Sequence, residues 1–250
     1  MKGYDEMIDF TKVRIVNDYV YFETDRTIRT KKKITGHSFV DLSGFNPYTK
    51  RGDTILSLVG IRKEEVDKKY LYRGEIAEQL VRNIYEKKLG KKIVWYDEKT
   101  KKDNYYDFFP TFLQCGGIPD IEIPSENTLV EVKSKSMKDY EKIKTNGSLV
   151  YELYQALYYG YLRNYDKITM FYVFFDEESE KQAFANQPIT NFKNIKFLSN
   201  VYEVKREEIE FLLKSDLEYY NNAIREKRIH ISDFSDKVLK ELGASVHNGL

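Results

Sequence analysis

Residues 116–135, GGIPDIEIPSENTLVEVKSK, constrain the fold more than any other part of the sequence. Two mainly apolar runs flank the turn-forming residues PSENT, which predicts two strands folded back on each other. Side chains alternate between the two faces of a strand, so Glu131 and Lys133 point to one face and Val132 to the other. The turn can bring Asp120 beside Glu131. The segment therefore predicts two carboxylates and an ammonium group on one face of a sheet.

Such a group of charges is costly to bury without a compensating partner. A divalent cation provides that compensation, and carboxylates are the hard oxygen ligands that suit Mg²⁺ or Mn²⁺. Lys133 would then lie beside a metal-bound water, where it can orient the water and favour hydroxide. An ordinary Glu–Lys pair on a surface hairpin is the alternative reading of the triplet EVK. The Pro119-Asp120 pair upstream and the apolar flanks favour the metal site.

The remaining patterns predict how this strand pair is embedded. Apolar residues recur at helical spacing from about Lys68 to Leu89, and Gly90 ends the predicted helix. Three strand-like runs follow: KKIVWYDEK, residues 108–123, and LVEVKSK. Next come the apolar helix SLVYELYQALYYGYLRN, the strand KITMFYVFFDEE, a strand near KFLSNVYEV and a charged amphipathic helix over about residues 205–227. This order predicts an α/β fold, with a central mixed β-sheet flanked by helices.

The N-terminal part has a different character. KVRIVNDYVYFET predicts a hairpin around Asn17-Asp18, because β-branched and aromatic residues alternate on both sides. A helical, loop-rich stretch follows, with Asn46-Pro47 as a turn and Gly60 as a stop. Because no repeat or Gly/Ser-rich linker interrupts the 250 residues, we expect a single domain. Its core spans about residues 68–180, with an N-terminal segment over about 26–66 and a C-terminal helical region over about 205–250.

Composition excludes several classes of protein. With 1 Cys, an internal disulfide and any multi-cysteine zinc or iron–sulfur site are excluded, the 3 His are not at metal-motif spacing, and a cytoplasmic location is expected. No apolar run approaches the length of a membrane span, and the N-terminus does not read as a secretory signal. The net charge is +1, yet the basic residues are clustered, which suits an enzyme that holds phosphates around an acidic metal site.

Pro119-Asp120 and Glu131-Val132-Lys133 together resemble the PD-(D/E)xK nuclease superfamily, in which these two elements form the metal site. Gly74 and Glu78 resemble the G-x-x-x-E segment of the phage exonucleases related to lambda exonuclease, the YqaJ-like group. The resemblance implies a restriction-endonuclease-like core. The metal ligands that it implies are Asp120, Glu131, the backbone carbonyl of Val132 and Glu78.

Two further segments carry the same resemblance. Gln155 and Tyr159 match a Q-x-x-x-Y element whose residues contact the active site or the DNA backbone. ITGHS followed by GFNPY resembles the N-terminal element that binds the 5′-terminal phosphate, which implies DNA-binding roles for Arg29 and Ser38. Ile118 stands where lambda exonuclease has a phosphate-binding serine, so the resemblance does not carry over a strict 5′-phosphate requirement.

The resemblance implies a magnesium- or manganese-dependent deoxyribonuclease that degrades duplex DNA from its ends, 5′ to 3′. The expected catalytic residues are Asp120, Glu131, Lys133, Glu78 and Gln155. Arg73 and Arg82 are candidates for contacts with the DNA backbone, as is Tyr159. The implied partners are duplex DNA ends, a single-strand annealing recombinase and two further copies of the chain in a trimer, in a bacterial host that carries a phage or prophage.

Two alternatives remain open from the sequence. One is a structure-selective or restriction-type endonuclease on the same fold. The other is a catalytically silent module of the nuclease fold that binds DNA or protein. The presence of Asp120, Glu131 and Lys133 together argues against the silent module.

Overall fold

The computed structural model describes residues 7–27, 29, 32–63, 67–97, 113–189 and 191–243, and the structural statements below concern those residues. They group into two compact units, each described by itself. The first unit comprises Met1–Glu65, Pro110–Gly116 and Glu207–Leu250, and the second comprises Val66–Phe109 and Gly117–Arg206.

The strands and helices have the following bounds. The strands are β1 (Met7–Ile8), β2 (Val13–Val16), β3 (Tyr19–Phe22), β4 (Arg62–Lys63), β5 (Ile121–Ile123), β6 (Thr128–Ser136), β7 (Lys167–Phe175), β8 (Lys196–Glu203) and β9 (Arg228–His230). The helices are α1 (Gly36–Leu42), α2 (Arg51–Leu58), α3 (Lys68–Asn83), α4 (Tyr140–Asn146), α5 (Val150–Leu162), α6 (Glu177–Phe184), α7 (Arg206–Glu226) and α8 (Asp236–Glu241).

The second unit contains a four-stranded sheet in the order β5-β6-β7-β8. β5 pairs with β6 antiparallel, β6 with β7 parallel, and β7 with β8 antiparallel, so the sheet is mixed, as the sequence predicts. β7 is buried along nearly its whole length, which explains its run of apolar residues. The parallel β6–β7 pair is joined through α4 and α5, because parallel neighbours need a long crossover.

Helices cover both faces of this sheet. Ala77 and Val81 of α3 pack in one hydrophobic core with Val130 and Val132 of β6. Gln155 of α5 contacts the opposite face of β6. Alternation along β6 therefore sends its valines to α3 and its charged side chains to α5. A π-helical turn over Ile84–Lys88 ends the α3 segment.

The first unit contains a three-stranded sheet, β2-β3-β9, and helical segments. β2 and β3 form the predicted hairpin, and Asn17 takes the left-handed conformation (φ 53°) that such a turn needs. Asp216 of α7 is fully buried, and it accepts a hydrogen bond from Ser43 at 2.5 Å and lies 3.4 Å from the Arg51 guanidinium. A buried carboxylate thus has a hydrogen-bond donor and a cation beside it.

Most of the helices and strands that the sequence predicts are present in the structure. The hairpin, the PSENT turn, α3, α5, β7, β8 and α7 are confirmed within a few residues. The strand prediction for KKIVWYDEK is wrong over its described part, because only Val94 makes a strand-like bridge there, to Glu122. Residues 108–112, in the next predicted strand, lie outside the described residues, and β5 covers only the end of that run. The short helix α6 was not predicted.

In the described part of the chain, no helix combines the length and the apolar run that crossing a membrane requires.

Candidate active site

The short strand β5 leaves an edge of β6 open, and Asp120 lies at this edge. β5 pairs only with residues 128–130, whereas β6 runs on to Ser136. The Asp120 Oδ2 atom accepts a hydrogen bond of 2.7 Å from the backbone N–H of Val132, just beyond the last β5 pair. The N–H and C=O of one strand residue point to the same side. The Val132 carbonyl therefore faces the same edge as the Asp120 carboxylate.

Glu131, Lys133 and Gln155 form a chain of hydrogen bonds on the α5 face of β6. The Lys133 Nζ atom donates to Glu131 Oε1 at 2.8 Å and to Gln155 Oε1 at 2.9 Å. Glu131 is only 2% exposed. Its second oxygen, Oε2, is buried and has no hydrogen-bond partner among the described residues. A buried carboxylate oxygen without a partner is uncommon, because it carries the full cost of desolvation.

The charges in this cluster shift one another's ionisation. Burial, followed by the negative charge of Asp120, raises the pKa of Glu131 to about 7, against the opposing effect of Lys133. Burial acts to lower the pKa of Lys133, but the charges of Glu131, Asp120 and Glu152 outweigh it and raise that pKa above its usual value. Lys133 therefore stays an ammonium group, whereas Glu131 gives up its proton reluctantly in the absence of a cation.

Tyr159 contacts the loop that carries Asp120. It lies one helical turn after Gln155 on α5 and is buried. Gly117 faces it with φ +119°, and a Cβ atom at Gly117 would lie 2.6 Å from the Tyr159 hydroxyl oxygen. Only glycine meets both the backbone conformation and the close approach. The structure therefore places Tyr159 against the Gly117 loop, and its DNA-binding role stays a prediction.

Glu78 is not brought into the cluster. Its side chain lies 3.9 Å from the guanidinium of Arg82 on the same helix. Among the described residues, no three His, Cys, Asp or Glu side chains gather closely enough to share a metal ion. α3 packs on the valine face of β6, away from Glu131, which accounts for this result. The expected role of Glu78, to complete a second metal site or its water shell, stays a prediction.

The two candidate arginines of α3 also have other contacts. The Arg73 guanidinium pairs with Glu180 and donates to the backbone carbonyl of Ser134 at 3.2 Å, and only 11% of the side chain is exposed. Arg82 stacks over the Trp95 ring at 4.3 Å. Both guanidiniums hold parts of the second unit together. Their expected contacts with the DNA backbone stay predictions.

Arg29 and Ser38 belong to the first unit. Arg29 is exposed, and its backbone N–H donates to Thr27 Oγ1 at 3.2 Å. Thr35 caps the start of α1, and its hydroxyl oxygen lies 3.3 Å from that of Ser38. A capping hydroxyl beside the first N–H groups of a helix is compatible with an anion nearby. The phosphate-binding roles of these residues stay predictions.

The sequence patterns do not predict two buried ionic clusters that lie next to the site. In the first, Lys135 pairs with Glu152, whose other oxygen accepts from the Tyr172 hydroxyl at 3.2 Å. In the second, the carboxylate of Glu122 accepts hydrogen bonds from Arg163, Tyr96 and Tyr165. A signal for Glu152 was present, since it is an acid in an apolar helix three residues before Gln155. The partners were not visible, because they lie far away in the sequence.

A mixed sheet with Asp120 at the open edge of β6, and Glu131 and Lys133 on the adjoining face of that strand, is typical of the nuclease fold. Residues 26–186 match the YqaJ-like viral recombinase domain family, and the chain belongs to that family. The curated relatives include the uncharacterized protein MG373 of Mycoplasma genitalium, 29% identical over 158 residues. Its homolog in Mycoplasma pneumoniae is 28% identical over 162 residues, and each match covers 60% of this chain. The matched region spans about half the length of these relatives, 54% and 56%.

Solved structures that share this fold include exonucleases. An alkaline exonuclease of Laribacter hongkongensis superposes with a TM-score of 0.54 at 17% identity, covering 78% of this chain and 90% of that one. The same enzyme in complex with dAMP gives a TM-score of 0.55 at 16% identity over the same shares. A phage-related exonuclease of Haemophilus somnus gives 0.51 at 17% identity, covering 78% and 96%. At these identities the similarity concerns the fold.

Proposed function

We propose that this chain is a metal-dependent exonuclease that hydrolyses phosphodiester bonds of linear duplex DNA from its ends, 5′ to 3′. The observation that carries the proposal is the buried Glu131 carboxylate, which has one oxygen on Lys133 and the other without a partner among the described residues, next to Asp120. Membership of the YqaJ-like viral recombinase family supports the same reading.

The donor atoms at the β6 edge fit a divalent cation. Glu131 Oε2, the Asp120 carboxylate and the Val132 carbonyl are hard oxygen donors, and Mg²⁺ commonly takes only one or two protein carboxylates beside waters and phosphate oxygens. When bound, Mg²⁺ or Mn²⁺ would polarise the scissile phosphate and lower the pKa of the attacking water. Glu131 and Asp120 would supply the compensating negative charge, and the cation would offset the cost of placing the buried Glu131 beside the half-buried Asp120.

The protein's own groups would then divide the remaining work. Lys133 keeps its charge in this acidic cluster, so it can hold an attacking water by a hydrogen bond and offset negative charge on the phosphate. Gln155 accepts one of the Lys133 hydrogen bonds at 2.9 Å and so fixes the direction of the ammonium group. Tyr159 supports the Gly117 loop and thereby the position of Asp120.

The wider setting is part of the same proposal. The family's viral recombinase character favours a role in phage-type recombination by single-strand annealing, with an annealing protein as partner and a ring-shaped homotrimer as the working form. Arg29 and Ser38 would contact the 5′ end of the substrate strand. The cytoplasm of a bacterial host is the expected location.

The test uses purified protein with end-labelled linear duplex DNA, 5′-phosphorylated or not, and with covalently closed circular DNA, in Mg²⁺ or EDTA. We expect loss of the linear substrate only, in Mg²⁺ only, and a rate at least about 10³-fold lower for Lys133→Ala. Lys181→Ala is the matched control, because Lys181 forms an exposed ion pair within α6 of the same unit. Cutting of closed circles would favour an endonuclease instead, and full activity of Lys133→Ala would refute the site.

A further inference from the structure

One stripe of α5 makes four contacts with three segments of the second unit. Residues 152, 155, 159 and 163 follow one another at intervals of three or four, so they lie along one side of the helix axis, with the last at the helix end. Their contacts are Glu152 with Lys135, Gln155 with Lys133, Tyr159 with Gly117, and Arg163 with Glu122. The stripe thus meets the strand of the catalytic lysine twice, and then the loop and the strand next to Asp120.

The first contact of this stripe, between Glu152 and Lys135, is a buried ion pair next to the site. Neither residue has been assigned to catalysis. Glu152 is 5% exposed, and each of its carboxylate oxygens has a partner, Lys135 on β6 and the Tyr172 hydroxyl on β7. Lys135 follows Lys133 by two residues, so both ammonium groups project from the same face, about 7 Å apart along the strand. Two cations at that spacing repel each other unless an acid neutralises one of them.

We propose that Glu152 is a positioning residue for the catalytic lysine, a role that rests on the proposed nuclease function. By holding Lys135, it removes a competing cation from the neighbourhood of Lys133 and fixes α5 against β6 one turn before Gln155. Gln155 then meets Lys133 at hydrogen-bond distance. A shift of about 1 Å in a catalytic group can lower a rate about 100-fold, which sets the scale of the effect.

A purely structural ion pair would lower stability without a selective effect on turnover. The structure offers a matched control for that reading in Glu180, which pairs with Arg73 on the opposite face of the same strand, beside Ser134. Glu152→Gln and Glu180→Gln each remove one buried or half-buried carboxylate charge beside β6. Only the first changes the face that carries Lys133.

The experiment measures kcat and KM on linear duplex DNA, together with the thermal unfolding midpoint, for wild type, Glu152→Gln, Glu180→Gln and Lys135→Arg. We expect kcat of Glu152→Gln to fall about 10- to 100-fold with KM within about twofold of wild type. Glu180→Gln should keep kcat within about threefold of wild type, while its thermal midpoint falls about as far as that of Glu152→Gln. Lys135→Arg retains the cation for Glu152 and should keep most of the turnover.

Crystal structures of wild type and Glu152→Gln give a second readout that does not depend on activity. The Lys133 Nζ to Gln155 Oε1 distance should exceed about 3.5 Å in the variant. The inference is overturned if kcat of Glu152→Gln matches that of Glu180→Gln, or if this distance stays below about 3.2 Å. If wild type cuts no DNA, the proposed function fails, and the distance alone decides whether Glu152 positions Lys133.

Discussion

Two glutamates on adjacent strands of the same sheet are equally buried and have opposite surroundings. Glu122 of β5 is 1% exposed and Glu131 of β6 is 2% exposed. The Arg163 guanidinium approaches both oxygens of Glu122 at 3.0 Å, and the hydroxyls of Tyr96 and Tyr165 donate to them at 2.6 and 2.7 Å. Glu131 has one oxygen on Lys133 and a second without a partner among the described residues.

The difference separates an acid that stabilises the fold from an acid that is held ready for a ligand. A carboxylate that accepts several charge-assisted hydrogen bonds offsets its desolvation within the protein. The desolvation cost of Glu131 is only partly offset within the protein, and its raised pKa has the same cause. Groups with strongly perturbed pKa values cluster at functional sites. Four predictions test this contrast.

The largest expected effect is on activity. Glu131→Gln should lower the DNA cleavage rate at least about 10³-fold, because it removes a ligand charge from the cation site. The metal-free variant should be at least as stable as wild type at pH 8, since an ionised buried carboxylate is replaced by a neutral amide. Cleavage assays and urea unfolding measure the two effects. A clear loss of stability in the metal-free variant would contradict the contrast with Glu122.

Glu122→Gln should lower stability strongly and activity only weakly. It leaves the Arg163 guanidinium without its carboxylate, and breaking a buried ion pair is expensive. Because 30% of the Arg163 side chain is exposed, we expect a loss of about 2–3 kcal/mol in unfolding free energy. Activity per folded molecule should fall less than about tenfold. Urea titration with cleavage assays at low temperature checks this result, and a loss of activity as deep as that of Glu131→Gln would contradict it.

The contrast extends to the loop before Asp120. Gly117→Ala should cost about 2 kcal/mol, because alanine is strained at φ +119° and its Cβ would clash with the Tyr159 ring. Gly74→Ala is the matched control in α3, where nothing lies within 4 Å of the added carbon. It should raise stability by about 0.5–1 kcal/mol, because alanine favours a helix interior. Thermal unfolding of both variants measures this, and equal effects would show that the Gly117 loop is not constrained.

The smallest expected effect is a pH dependence. The pKa of Glu131 is raised to about 7 in the folded state, so the folded chain holds this proton more tightly than the unfolded chain. Stability of the metal-free protein should therefore fall as pH rises from about 4.5 to about 7. Burial also raises the pKa of Asp216, to about 6, which acts in the same direction.

The difference between wild type and Glu131→Gln isolates the Glu131 contribution, because Asp216 is common to both. Urea unfolding of the two proteins at pH 5 and pH 8 in EDTA measures it. Wild type should lose more stability than the variant over this interval. Added Mg²⁺ should restore the wild type at pH 8 and leave the variant largely unchanged. An equal change in unfolding free energy of the two proteins between pH 5 and pH 8 would show that the pKa of Glu131 is not raised.

The sequence predicts those parts of the site whose residues lie close together along the chain. Asp120, Glu131 and Lys133 lie within one strand–turn–strand segment, so alternation along a strand was enough to place them together. Gln155 was found as a polar residue in an apolar helix, and its contact with Lys133 agrees with that reading. Glu78 is expected at the site from resemblance alone, and it lies on α3, which packs on the valine face of β6, so its metal role stays a prediction.

By itself, the sequence determined the order of most elements, the mixed sheet and the local charged cluster, because hydrophobic periodicity and turn residues act over a few neighbours. Only the tertiary structure decided which buried acids are satisfied. Glu122 meets Arg163 and Tyr165, and Lys135 meets Glu152, across 41, 43 and 17 residues of sequence. The desolvation cost of a buried carboxylate depends on which hydrogen-bond donors lie close to it in the folded protein. When these donors are far away in the sequence, no periodicity along the chain identifies them.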